Sequence, residues 1–275
     1  NEQLRMLTSS QLSQLLEQTR KIAEEVGAFI EKERLHFSMD RVEHKGFNDL
    51  VSYVDKEAEK QLVAQLQAIF PEAGFITEEG TNTTRGVEYD WVIDPLDGTT
   101  NFIHGLPVFA VSIGLMERGE VVLGVVYEVN RKECFHAYKG GGAFCNDARL
   151  QVSKAPKLAD SLISTGFPYY QFDLIDRYLA TMKLVMQRSH GLRRLGSAAV
   201  DLCYVAAGRT EGYFEYNLNS YDVAAGVLLV QEAGGKVTDF AGGNDFIFGR
   251  QVVATNLFIH EELLGLLAFN WNESA

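Results

Sequence analysis

The chain has 275 residues, 46% of them hydrophobic and 23% charged, with a formal net charge of −12. It is long enough to bury a large core without disulfides or a structural metal. Its acidic balance excludes attraction of nucleic acid or anionic membrane by the overall field, and an anionic substrate would need local cations. In chain order, Thr8 and Gln11 read as the start of a helix whose face carries Leu12, Leu15, Leu16, Ile22, Val26, Phe29 and Ile30. A second helix carries Leu62, Val63, Leu66 and Ile69, ends at Phe70-Pro71, and has Asp55 near its beginning. Strands follow at 74–77 (GFIT), 90–93 (DWVI), 108–116 and 121–129, with Arg118-Gly119 as the turn of a hairpin, and then ECFHAY at 133–138 beside a glycine-rich GGGAF. From about residue 155 strands and helices alternate. SLISTG is a strand, 172–189 a helix, and GLRRLGSAAVDLCYVAAG a short strand before a helix. EGYFEY is a strand, and the helix DVAAGVLLVQEAGG stops at Gly234-Gly235. KVTDF and QVVATN are strands, and a last helix covers about 259–268. With no linker, repeat or low-complexity tract, the expectation is one compact α/β unit in two halves. Residues 1–150 form a helical and antiparallel-sheet half, and 151–275 a mixed half that completes the site.

The segment DWVIDPLDGTT concentrates the chemistry. A hydrophobic strand runs into Asp94; Pro95 is expected to stop it, Gly98 allows a tight turn, and Gly98, Thr99 and Thr100 would open a helix. Two carboxylates at a strand end repel each other and call for neutralisation. Hard cations such as Mg²⁺ prefer such oxygen donors, and a helix N-terminus favours phosphate. Taken alone, the segment also reads as a strand followed by an Asp-rich surface turn. Glu78 and Glu79 follow a buried strand, Asp55 sits near a helix start and Asp222 opens an apolar helix. Each has an ordinary explanation as a cap or a solvated pair. All lie at element ends, where sites are usually built.

Other features carry less. KGGGAF lacks P-loop spacing, and the six histidines form no metal-binding pattern. His104, close to the Asp motif, reads as structural ahead of positioning. Arg193 and Arg194 could meet a partner subunit or be solvated. Cys134, Cys145 and Cys203 form no CxxC and read as buried hydrophobes of a reducing compartment. NEQLRMLTSSQLSQLLEQ has no apolar signal core, and no run reaches membrane-spanning length. The expectation is a soluble, cytoplasmic protein with no membrane association.

WVIDPLDGTTNF, with ITEEG upstream and YDVAAGVLLVQEAGG downstream, resembles the signature set of the inositol monophosphatase family. VDKEAEK, KGGGAFCN and GLRRLGSAAVDL resemble further family segments, and the likeness runs in order from about Asp49 to Asn256. The resemblance implies a layered αβαβα sandwich, fructose-1,6-bisphosphatase-like, and a Mg²⁺-dependent, lithium-sensitive phosphomonoesterase. By position it implies that Glu78, Asp94 and the Leu96 carbonyl hold one Mg²⁺ and that Asp94, Asp97 and Asp222 hold a second. Glu78 with Glu79 would help a weaker third ion. Gly98 and Thr99 would bind the phosphate, Asp55 would pair with Thr99 to orient and deprotonate the attacking water, and Asp97, Ala198 and Glu215 would line the alcohol pocket. Two positions depart from the family pattern: Tyr221 stands where Trp is frequent, and Thr77 where Gly often precedes the acidic pair. Neither removes a ligand. The implied attack is direct and in line. Haloacid-dehalogenase phosphatases use Asp-x-Asp, whereas this chain has Asp-x-x-Asp with Pro95 after the first Asp. Inositol 1-phosphate is the expected substrate. Relatives hydrolyse fructose 1,6-bisphosphate, 3′-phosphoadenosine 5′-phosphate, NADP or histidinol phosphate, and the loop TNTTRGVEY that borders the choice is not readable. A homodimer is implied. Some bacterial relatives are thought to serve the transcription machinery as binding partners, although the acidic charge gives no support for direct nucleic-acid binding.

Overall fold

A computed structural model describes residues 6–46 and 49–271. Thr8 caps α1 (Ser9–Leu35) through a reciprocal box with Gln11, and the helix buries Leu12, Leu15, Leu16, Ile22, Val26 and Ile30. A short antiparallel hairpin follows, β1 (Val42–Gly46) and β2 (Asp49–Ser52), which the polar sequence VEHKG did not announce. Ser52 and Asp55 form the box that starts α2 (Tyr53–Ile69).

The next stretch builds one sheet in chain order. It comprises β3 (Gly74–Thr77), β4 (Tyr89–Asp97), β5 (Ala110–Glu117), β6 (Glu120–Glu128), β7 (Glu133–Tyr138), β8 (Ala143–Cys145) and β9 (Ala148–Arg149), with the short α3 (Thr99–His104) between β4 and β5. Only β3 and β4 run parallel. Arg118 and Gly119 both have positive φ, as the tight hairpin turn requires. The later stretch supplies β10 (Leu162–Thr165), α4 (Ile175–Arg188), β11 (Gly191–Arg193), α5 (Ala198–Ala206), β12 (Gly212–Tyr216), α6 (Ser220–Glu232), β13 (Lys236–Thr238), β14 (Gln251–Thr255) and α7 (His260–Trp271). Its five-stranded sheet has the order β11-β10-β12-β14-β13.

Five layers result: α1 and α2, the seven-stranded sheet, α5 and α6, the five-stranded sheet, then α4 and α7. α6 is apolar along most of its length because sheets lie on both sides of it; Val223, Ala225, Val227, Leu229 and Val230 are all buried. The layered α/β architecture expected from the resemblance is the one observed. The helix expected at 172–189 begins at Ile175, and the last helix extends to Trp271.

One local expectation is corrected. Pro95 does not end its strand: β4 continues to Asp97. Asp94 pairs with Ser112 and Asp97 with Ala110, so three steps on β4 face two on β5. This bulge takes up the residue that has no N–H to give the ladder. In an unbroken strand, residues an odd number apart point to opposite faces. The extra residue lets Asp94 and Asp97 turn to the same side.

Candidate active site

The bulged end of β4 is built for carboxylates. Leu96 N donates to Asp94 Oδ1 at 3.0 Å and holds that side chain back over its own turn. Gly98 has φ of 96°, and a Cβ there would lie 2.9 Å from the Val108 carbonyl, so glycine alone fits the entry to α3. Thr99 comes next. Its hydroxyl lies 2.6 Å from Asp55 Oδ1 and 3.0 Å from the Leu96 carbonyl, and its single proton serves one of them at a time. Asp55 Oδ2 accepts from Ser52 N at 2.9 Å and Ser52 Oγ at 2.5 Å. The first turn of α2 therefore fixes the acid that faces Thr99.

The middle helices bring the remaining groups. Ser197, the cap of α5, donates to Asp97 Oδ2 at 2.6 Å, and Ala199 N donates to the same oxygen at 2.7 Å. Asp222, in the first turn of α6, accepts from Asn219 N at 2.6 Å. Asp94, Asp97 and Asp222 offer carboxylate oxygens that all lie within 4.8 Å of one another. Glu78, just past β3, faces them with Oε2 enclosed and without a hydrogen-bond partner. Lys45 Nζ lies 3.9 Å from Glu78 Oε1 and pairs closely with Glu79.

Burial pushes these acids toward their protonated forms. Asp94 and Glu78 are held well above the usual carboxylate range, Asp94 by burial and then by the charges of Glu78, Asp97 and Asp222. Burial and the charge of Asp97 raise Asp222 to about 8. Asp97 is also raised by burial, against the opposing pull of Ser197 and Ala199 N–H. A cluster of oxygen donors that resists ionisation by itself, with one enclosed oxygen left over, fits hard divalent cations.

A cavity of about 300 Å³ opens over the cluster, and Glu78, Asp94, Leu96, Asp97, Gly98, Thr99, Ala198, Glu215 and Asp222 all line it. Glu215 is half-buried in that lining. Burial raises its carboxyl to about 7, against a hydrogen bond donated by Tyr213 Oη. Two expected residues stand outside the lining. Asp55 sits behind Thr99, and Glu79 is paired with Lys45, which itself lines the cavity. His104 is exposed and Cys134 and Cys203 are buried free thiols.

Several lining or supporting groups were not anticipated. Arg194 lines the cavity, with its guanidinium 4.5 Å from the Phe167 ring centroid and hydrogen-bonded to Tyr169 Oη at 3.0 Å. Nothing local in LRRLG distinguishes it from solvated Arg193. Ser197 and Asn219 were within reach of cap reasoning, since each is a small polar residue directly before an apolar helix.

The sequence model of the inositol monophosphatase family matches residues 11–272. The chain belongs to that family. It is 45% identical over 225 residues to the inositol-1-monophosphatase of Mesorhizobium japonicum, covering 82% of this chain and 85% of that one. It is 45% identical over 221 residues to the Nus factor SuhB of Pasteurella multocida, covering 80% and 83%. The crystal structure of the extragenic suppressor protein suhB from Bartonella henselae superposes with a TM-score of 0.88 at 40% identity, covering 92% of this chain and 98% of that one. Family membership and the first relative's name support a phosphatase. Relatives of equal likeness carry the name Nus factor SuhB.

Proposed function

We propose that this chain is a Mg²⁺-dependent phosphomonoesterase that releases phosphate from myo-inositol 1-phosphate by direct attack of water. One observation carries the reading: four acidic side chains that need cations share a cavity with Glu215 and with Thr99, which Asp55 backs from outside the lining. Glu78, Asp94 and the Leu96 carbonyl would hold one Mg²⁺, and Asp94, Asp97 and Asp222 a second; Glu79 would serve a weaker third. Bound there, the ions would supply Lewis-acid stabilisation of phosphoryl charge and a more acidic water. The protein's own groups do the rest. The Thr99 hydroxyl donates to Asp55, which leaves a lone pair on Thr99 Oγ1 to accept from the attacking water; the proton the water gives up passes to Thr99 as the Thr99 proton passes to Asp55. Backbone amides at Gly98 and Thr99 receive phosphoryl oxygens. Glu215, with Asp97 and Ala198, receives the ring hydroxyls of the alcohol. The proposal includes a cytoplasmic homodimer. Among the described residues no helix is long and apolar enough to cross a membrane.

The test is phosphate release from myo-inositol 1-phosphate with Mg²⁺, without it, and with Li⁺ added. Fructose 1,6-bisphosphate, 3′-phosphoadenosine 5′-phosphate, NADP and histidinol phosphate run in parallel. Mg²⁺-dependent, lithium-sensitive release from the inositol ester, lost in Asp94→Asn, is expected. Release confined to another ester overturns the substrate and keeps the site. Full activity in Asp94→Asn overturns the site assignment.

The relatives named Nus factor SuhB favour a second reading, a binding role in a transcription complex. Capture of transcription-complex proteins by Asp94→Asn as well as by the native chain would support it, because a binding surface outlives the loss of the metal cluster.

A further inference from the structure

Glu59 is fully buried, yet it is not part of the site described above. It lies one helical turn after Asp55 on α2, so the two carboxylates share a face. Its Oε2 accepts from Glu79 N at 2.7 Å and its Oε1 from Thr81 N at 2.8 Å. The two amides flank Gly80, whose φ of 74° lies in the left-handed region. They converge on the carboxylate as the amides of a backbone nest converge on an anion. A carboxyl group at zero exposure is costly unless its oxygens are satisfied, and bonds from two N–H groups satisfy one lone pair on each. The turn that carries Glu78 is thereby clamped to α2, the helix that also carries Asp55.

We propose that Glu59 is a positioning residue for the cation site: it locks the 78–81 turn so that Glu78 meets Asp94 with its carboxylate already in place. The clamp explains how Glu78, on an irregular segment and with one enclosed and unpartnered oxygen, is held beside Asp94 against the charges of Asp222 and Asp55. Without the clamp, Mg²⁺ binding has to order the turn as well as fill the site, and affinity falls by the ordering free energy. The inference rests on reading Glu78 as a cation ligand. It does not depend on the substrate.

Glu59→Gln keeps the size of the side chain but replaces one acceptor oxygen by an NH₂ that faces an amide N–H. The test is a calorimetric titration of the purified chain with Mg²⁺ alone, alongside melting temperatures with and without Mg²⁺. Glu59→Gln should weaken Mg²⁺ binding by about tenfold or more, the usual range for a lost outer-shell partner. It should also shrink the Mg²⁺-dependent rise in melting temperature. Gly80→Ala attacks the same clamp from its other side. Nothing lies within 4 Å of a Cβ built there, so the variant strains only the backbone of the turn, and it keeps the test open if Glu59→Gln folds poorly. It too should lower Mg²⁺ affinity. Native Mg²⁺ affinity in either folded variant overturns the proposal. An equal loss of melting temperature with and without Mg²⁺ also overturns it, since that is the signature of a merely structural role. Because phosphate release is not the readout, a chain inactive on every ester still tests the clamp, and weak Mg²⁺ binding in the native chain would count against Glu78 and the proposed function instead.

Discussion

At Gly166 the missing side chain makes room for a carboxylate. An added Cβ would sit 2.2 Å from Glu215 Oε1, so the carboxylate, half-buried in the cavity wall, would have to shift. Gly166→Ala should displace Glu215 and raise KM for inositol 1-phosphate by about tenfold, equivalent to ~1.4 kcal/mol of binding. The Mg²⁺ midpoint should stay unchanged, because Gly166 packs against Glu215, the acid proposed for the alcohol, and not against the proposed cation ligands. Steady-state kinetics at saturating Mg²⁺ checks both. Asp94→Asn has a second expected consequence. It replaces an acid that burial and the charges of Glu78, Asp97 and Asp222 push toward its protonated form, so folding no longer has to take up that proton. The metal-free variant should melt about 2–4 °C higher than the native chain, the shift that ~1 kcal/mol produces in a chain of this size, while losing stabilisation by Mg²⁺. A lower metal-free melting temperature would show that the repulsion is already relieved in the native protein. At this scale the acids were legible because a motif of unusual spacing named them. Glu59 and Arg194 were not, because what distinguishes them is a distant partner: a turn about twenty residues later for Glu59 and aromatic rings on another loop for Arg194.

Among the elements, α5 couples stability to the site through a single cap. Ser197 Oγ accepts weakly from Val200 N at 3.3 Å while donating to Asp97 at 2.6 Å. Ser197→Ala removes the cap and one of two donors on a buried acid. A loss of about 1–2 kcal/mol is expected, or roughly 2–8 °C in melting temperature. Thermal denaturation measures it, and a variant as stable as the native chain would mean that Ala199 N alone holds Asp97. Most helices and strands were readable here from their apolar periodicity and their caps. The hairpin β1–β2 was not, since Val42, Glu43, His44 and Lys45 do not show a buried face. The continuation of β4 past Pro95 was missed for another reason. Proline argues against a strand only when its N–H is needed, and a bulge removes that need.

For the whole molecule, the buried acids make stability depend on pH and metal together. Glu215 titrates at about 7 and Asp222 at about 8 in the folded chain, both raised mainly by burial, whereas unfolded carboxyls titrate near 4. Their folded values exceed their unfolded ones, so between those limits the folded state holds protons that the unfolded state has released. Stability therefore falls as pH rises through the window. For Glu215 alone the full span amounts to about 3 kcal/mol. His260 works in the other direction. Enclosed between the hydroxyls of Thr238 and Thr255, it is pushed down by burial to about 4. Its folded value lies below the unfolded one near 6.5, so it favours folding more as pH rises, and that gain is complete by about pH 7. Above that point the carboxyls stand unopposed by it. The metal-free protein should lose melting temperature steadily from about pH 6.5 to about pH 8. Millimolar Mg²⁺ should remove the part of the slope that belongs to Asp222 and its neighbours, because cations let those acids ionise without penalty. The part that belongs to Glu215 should remain, since that acid is not among the clustered carboxylates. Melting curves across this range in chelator and in Mg²⁺ separate the two contributions. A flat or rising metal-free profile would mean that the cluster is ionised without cations, and the electrostatic argument for a metal site would fall with it.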